Sequence, residues 1–330
     1  MELRIIRKKD IQNAVTMADA IEAVSQAFTQ LSQGNAIAPL RTQVPVEDKQ
    51  GVVLFMPAFL QKSGAMGAKI VSVFPQNVRS GLSTIHAVVI LLDQKTGRPT
   101  ALLDGTYLTA LRTGAASGVA TDLLARQNSR TAAIFGAGTQ GRTQLEAVCT
   151  VRAISKAWIY DPDPAAARTY ASEMSGRGGP IPQDISVART PAEALRDADV
   201  VCTATISMEP VFADEDLKEG AHINGIGSYT PEMQEIPIQT IIRSKIVVDS
   251  LEASLAEAGD LIIPLRNKML TESDIYGEVG KIASGDISGR ESESEVTFFK
   301  SVGLAVQDLA TATLALEKAA ELNLGIKIDL

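Results

Sequence analysis

The most chemically informative stretch of this sequence is Gly136-Ala-Gly138-Thr139-Gln140-Gly141. A G-x-G-x-x-G string has meaning only between a strand and a helix. Here the apolar run Thr131–Phe135 precedes it and a helical pattern over Thr139–Val151 follows. In that setting Gly136 permits a tight turn, Gly138 lets backbone approach a pyrophosphate, and Gly141 allows helix and strand to pack closely. The amides of the helix N-terminus then face the phosphates. Asp161 ends the next strand, about twenty residues beyond the motif, where a carboxylate accepts the ribose hydroxyls. It would repel a 2′-phosphate, and Pro162-Asp163-Pro164 brings no cation. The expectation is NAD(H), with NADP(H) as the alternative. A plain glycine turn and a helix-capping aspartate are the competing structural readings.

Other reactive residues are scarce. Cys149 and Cys202 stand in apolar surroundings, as buried thiols do, and His86 and His222 are far apart. No metal-ligand spacing occurs. At 330 residues the chain is long enough for two domains, and with 45% apolar but only 4% aromatic residues their cores must be aliphatic. A net charge of −8, without a basic run interleaved with aromatics, argues against a nucleic-acid partner. Neither a leader-like N-terminus nor a run of 18 apolar residues is present, which predicts a cytoplasmic protein with no membrane partner.

The elements that must position these residues fall into two textures. Thr16 with Asp19 reads as a capping box, followed by Ile21, Val24, Phe28 and Leu31 at helical spacing and closed by Gly34. Arg41–Val46, Val52–Met56, Ala65–Phe74, Thr84–Leu92 and Thr100–Leu103 then alternate with turn-rich segments, predicting a largely antiparallel sheet. Thr106–Arg126 is an Ala-rich helix. Beyond it strands at 131–135, 156–160, 200–205, 222–226 and 246–249 alternate with helices, the pattern of a parallel doubly wound sheet. Thr203 and the Ile223–Ile226 strand, with Gly225, would present their carboxyl ends to the cofactor. Ser301–Asn323 reads as an amphipathic helix with Val302, Ala305, Val306, Leu309, Thr313 and Leu316 on its apolar side, and Glu291–Glu295 as a solvated loop. The predicted fold is α/β: a Rossmann domain over residues 121–301 and a discontinuous α+β substrate-binding and dimerisation domain over 1–120 and 302–330.

Gly67-Ala-Lys69, Thr109-Ala-Leu-Arg112-Thr-Gly-Ala-Ala116, Gly136–Gly141, Tyr160-Asp-Pro162, Ile223-Asn-Gly-Ile-Gly227 and Phe299-Lys-Ser-Val-Gly303 span nearly the whole chain. Together they resemble the ornithine cyclodeaminase/μ-crystallin family. That family includes cyclodeaminases, amino-acid dehydrogenases and reductases of ketimines and cyclic imino acids. The resemblance implies a homodimer joined through the N-terminal domain, with an active site in the cleft between the domains. It also implies that Arg41, Lys69 and Arg112 grip the carboxylate of an α-amino or α-imino acid. Two guanidinium forks and an ammonium suit that task. Lys69 stands among apolar strand residues, where desolvation would lower its pKa and fit it for proton transfer. Thr84, Ser301 and Val302 match further ligand-contacting positions, Arg112 and Ser301 among those near cofactor and Val302 near substrate.

The chain departs from the cyclodeaminases at two places. Gly51-Val-Val-Leu54-Phe-Met-Pro57 has Leu54 where they carry a substrate-contacting glutamate, and Gly227-Ser-Tyr229-Thr-Pro231 has Tyr229 where they carry a catalytic aspartate. Neither can hold a second ammonium. The leading expectation is therefore NADH-dependent reduction of a small α-imino acid, a ketimine or cyclic imine carboxylate. Amino-acid dehydrogenation, ornithine cyclodeamination and low-turnover ligand binding are the alternatives.

Overall fold

The computed structural model describes residues 2–329. In chain order the first elements are β1 (Glu2–Ile6), α1 (Lys8–Ala14), α2 (Met17–Ser32), β2 (Ala36–Ile37), β3 (Thr42–Val46), β4 (Gly51–Leu60) and β5 (Met66–Val73). β6 (Ile85–Leu92), β7 (Pro99–Asp104) and α3 (Gly105–Leu124) follow. Next come β8 (Thr131–Phe135), α4 (Thr139–Val151), β9 (Lys156–Tyr160), α5 (Pro164–Met174), β10 (Asp184–Val187), α6 (Pro191–Leu195), β11 (Val200–Thr203) and β12 (His222–Gly225). α7 (Ile238–Ile242), β13 (Lys245–Val248), α8 (Leu251–Glu257), α9 (Gly259–Arg266), β14 (Ile275–Glu278), α10 (Val279–Ala283) and β15 (Thr297–Lys300) lead to α11 (Ala305–Glu321) and β16 (Ile326–Asp329). They form two compact units, Met1–Arg112 with Leu304–Leu330, and Thr113–Gly303.

The first unit is built on one sheet in the order β16-β1-β7-β6-β5-β4-β2, with β3 also on β4. Every pairing is antiparallel except β1 with β7. Period-two alternation sends Leu54, Met56, Lys69, Val71, Val89 and Leu103 to the face that α11 covers, and all are buried. The opposite face carries Phe55, Ile70 and Val88, which sit side by side in register yet stay 40%, 38% and 41% exposed. The Thr16–Asp19 capping box that opens α2 forms as the sequence predicts. β1, β2 and β16 escape the sequence reading, because a two-residue strand and two terminal strands lack room for a clear alternation.

The second unit holds an entirely parallel sheet in the order β10-β9-β8-β11-β12-β15-β13-β14. Strand order reverses between β8 and β11, which opens a crevice at the carboxyl ends of those strands. Its core is aliphatic, with Ile134, Leu145, Val148, Ile159 and Met174 packed around Tyr170. Cys149 and Cys202 are buried free thiols, each pushed up to about 12 by burial. β10, β14 and β15 are additions to the predicted sheet. β15 inserts between β12 and β13, so Ser301 and Val302 form a strand-end loop rather than the first turn of a helix. α11 begins at Ala305, and its buried stripe is Ala305, Asp308, Leu309, Ala312, Ala315 and Ala319. Of the predicted apolar side Ala305, Val306 and Leu309 are buried, whereas Thr313 and Leu316 are only partly covered, and Gln307, Asp308 and Thr311 are buried as well. Among the described residues no helix is long and apolar enough to cross a membrane, and no group of side chains is placed to hold a metal ion.

Candidate active site

In the second unit the glycine motif does what its spacing requires. Gly136 has φ +103°, and a Cβ there would lie 2.6 Å from the Ala204 carbonyl oxygen. A Cβ on Gly141 would lie 2.1 Å from the Gly136 carbonyl oxygen, so helix and strand touch at that point. Gly138 differs from both. Its φ of −78° suits any residue, and a Cβ would meet nothing within 4 Å. Neither backbone strain nor packing demands a glycine there, and the space beside it is open. Gly138 caps α4 without a side-chain acceptor, and Thr139 and Gln140 form the first turn, so its amides are left for an anion. Arg142 steadies the loop by donating to the carbonyls of Ala137 (2.5 Å) and Gly138 (3.0 Å).

Asp161 closes the adjacent strand. Its carboxylate accepts from the Ala137 amide at 2.8 Å and the Asp163 amide at 2.9 Å, which fixes it beside the glycine turn. Gly136, Gly138, Asp161 and Thr205 line one cavity of about 660 Å³ at the switch point. A dinucleotide fits these features: an open glycine, an uncapped helix and a held carboxylate. Thr203 lies at its strand end, but its hydroxyl is spent on Glu235 at 3.0 Å. Gly225 and Ile226 reach the same end, Gly225 because a Cβ would strike the Phe298 ring at 2.7 Å. Ile223 does not: it is fully buried in mid-sheet between Val201 and Phe298. Ser301 and Val302 are tied by Asp249, whose Oδ2 accepts from Ser301 Oγ (2.7 Å) and the amides of Val302 and Gly303 (each 2.9 Å).

The first unit gathers the cations. Lys69 on β5 is 1% exposed and lies between Met56 and Val89 in register. Its Nζ is 2.7 Å from Asp308 Oδ2. Arg112, near the middle of α3, donates Nε to Asp308 Oδ1 at 2.9 Å and Nη1 to Gln307 Oε1 at 2.5 Å. Gln307 Oε1 also accepts from the Leu304 amide. Both partners are donors, so the amide orientation is fixed. Burial, then the Arg112 charge, lower the Lys69 pKa to about 7; Asp308 opposes them, and Arg41, ahead of β3, adds a further small depression. Thr84 lies in this unit just before β6, its carbonyl accepting from the Phe74 amide. Leu54 shares the face of Lys69.

Sequence reasoning missed Asp308 and Gln307. It counts three positive charges awaiting one carboxylate, whereas the fold already supplies a carboxylate between two of them. The available signal was a lone acid inside the apolar period of α11. Glu235, Asp249, Asp260 and Lys300 were missed for the same reason. All four are buried, and Lys300 follows two phenylalanines in sequence.

Residues 1–323 match the ornithine cyclodeaminase/mu-crystallin family. The chain belongs to that family. It is 41% identical over 326 residues to a Delta(1)-pyrroline-2-carboxylate reductase of Bacillus cereus, covering 98% of this chain and 99% of that protein. Among solved structures it resembles Thermococcus litoralis Delta(1)-pyrroline-2-carboxylate reductase in complex with NADH and L-proline. The TM-score is 0.95 and the identity 44%, over 98% of this chain and 100% of the other. It also resembles an archaeal alanine dehydrogenase dimer with bound NAD, with a TM-score of 0.92 and 37% identity over the full length of both chains.

Proposed function

We propose that this family member is an NAD(H)-dependent reductase of a small α-imino acid, with Delta(1)-pyrroline-2-carboxylate, giving proline, as its first candidate substrate. The observation that carries this reading is the buried Lys69–Asp308–Arg112 cluster, in a chain similar over its whole length to proteins that bear that name. Arg112 is anchored through Nε and Nη1, which fixes its guanidinium to take the substrate carboxylate together with Arg41. Lys69, with a pKa near 7, protonates the imine nitrogen and is left as the neutral amine. Gly136–Gly141 and Asp161 would hold NADH, which when bound would supply a hydride to the imine carbon. Leu54 and Tyr229 offer no carboxylate to a second ammonium, so ornithine would bury an unpaired charge at a cost of several kcal/mol. Alanine oxidation is the second reading, favoured by the likeness to the NAD-bound alanine dehydrogenase.

The exposed Phe55–Ile70–Val88 stripe supports a homodimer formed through the outer face of the first sheet. A dimer mass by light scattering, lost in Phe55→Glu, is the expected result. For the reaction, the NADH absorbance is followed with Delta(1)-pyrroline-2-carboxylate plus NADH, where it should fall, with alanine plus NAD, where any turnover would raise it, and with ornithine. Turnover of the cyclic imine is expected. Ammonia release from ornithine without net NADH consumption would replace this reading with cyclodeamination.

A further inference from the structure

Resting on that reading, we infer that Asp308 is a positioning residue for the reduction: it keeps Lys69 charged as the proton donor and aims Arg112 at the substrate carboxylate. Among the buried residues of α11, mostly Ala305, Val306, Leu309, Ala312, Ala315 and Ala319 with the neutral Gln307 and Thr311, it is the one charged side chain. Such a helix would pack on the sheet as well with an apolar residue there, since a buried ion pair is seldom worth more than a hydrophobic substitute. Both Asp308 oxygens are committed to the two cations, Oδ2 to Lys69 Nζ at 2.7 Å and Oδ1 to Arg112 Nε at 2.9 Å.

The surroundings of Lys69 make the balance depend on this one carboxylate. β4 and β6 present Met56 and Val89, α3 presents Arg112, the segment before β3 presents Arg41, and α11 presents Asp308. Burial and both arginines favour the neutral amine, and the Asp308 carboxylate opposes them. Removing its charge therefore drives Lys69 toward the neutral form at neutral pH. A neutral lysine has lost the proton that imine reduction requires, yet it is the form that can deprotonate an amine in the reverse, oxidative direction. Loss of Asp308 should therefore shift the pH at which each direction gains or loses rate, and a merely structural role would not do that.

The test compares the wild type with Asp308→Asn and Asp308→Glu, with kcat/KM measured in both directions from pH 5.5 to 9.5. Circular dichroism and NADH binding serve as checks on folding. For Asp308→Asn the limb that falls with rising pH in reduction should move to lower pH by at least about one unit, a tenfold change at fixed pH above it. In oxidation the limb that rises with pH should move down by the same amount, since the two directions share one equilibrium constant at each pH. Asp308→Glu, which keeps the charge, should hold the limb near its wild-type position and decides the matter if Asp308→Asn does not fold. The Lys69 protonation itself is read without turnover, from the pH titration of the ¹³Cε resonance assigned with Lys69→Met. A titration moving to lower pH in Asp308→Asn supports the inference even where the imino acid proves to be the wrong substrate. An unmoved titration, or a loss of rate that is the same at every pH with both limbs in their wild-type places, overturns it.

Discussion

Each unit buries a cluster of charged side chains, and the two are put together in opposite ways. In the second unit Lys300 and Asp260, both without solvent exposure, pair at 3.1 Å. Glu235 lies beside them and accepts from Thr203 Oγ1, from the amide and hydroxyl of Thr205, and from the amides of Gly227 and Ser228. Asp260 in turn accepts from the amides of Glu235 and Ile236. Acids outnumber the lysine. Burial raises the Glu235 pKa, but its acceptors are filled with donors from the loops that follow β11 and β12. In the first unit cations outnumber the acid, a lysine pKa falls to about 7, and Gln307 Nε2 is buried with no hydrogen-bond partner among the described residues. A buried cluster whose groups are saturated fastens loops. One with a surplus of like charge stays ready to exchange a proton or bind a counter-charge.

Breaking the saturated cluster should have the largest effect on stability. Glu235→Ala strands several buried donors and leaves Lys300 and Asp260 without their neighbour. A loss of about 3–5 kcal/mol is expected, seen as a fall of roughly 10 °C in thermal scanning. A Tm within two degrees of wild type would erase the distinction drawn between the clusters.

Lys69→Met tests the other side. It swaps a buried cation for an apolar side chain of similar length, so Tm should hold or rise while kcat for reduction drops by at least about a hundredfold. A large loss of stability with modest loss of rate would make Lys69 a structural residue.

The surplus of positive charge also sets a pH signature. With the Lys69 pKa lowered to about 7, reduction should be flat below that pH and fall about tenfold per unit above it; oxidation should do the reverse. Matching pH profiles for the two directions would remove Lys69 as the proton carrier.

The smallest effect is expected at the cavity that the saturated cluster frames. Asp161→Ala should narrow the preference for NADH over NADPH by about tenfold, near 1.4 kcal/mol, in fluorescence titrations. Tighter NADPH binding by the wild type would show that this carboxylate does not select the cofactor.

Local rules carried the sequence far in the second unit. β8, α4 and β9 run over the predicted residues, Gly136 makes the tight turn and Gly141 the helix contact that their spacing implies, and the space beside Gly138 is open. Each of these features depends on neighbours in sequence, so its signal is written in consecutive residues. The lowered pKa of Lys69 was legible too, because an isolated lysine in an apolar strand must be desolvated. The insertion of β15 between β12 and β13 was decided only by tertiary structure, as was the turn of α11 that points Asp308 inward. So was the partnership of Asp308 with residues 196 and 239 positions away in the chain, Arg112 and Lys69. Pairings over such separations leave no period in the sequence. They form because a carboxylate carried into an apolar interior must find a cation, and the fold alone determines which cations lie within reach.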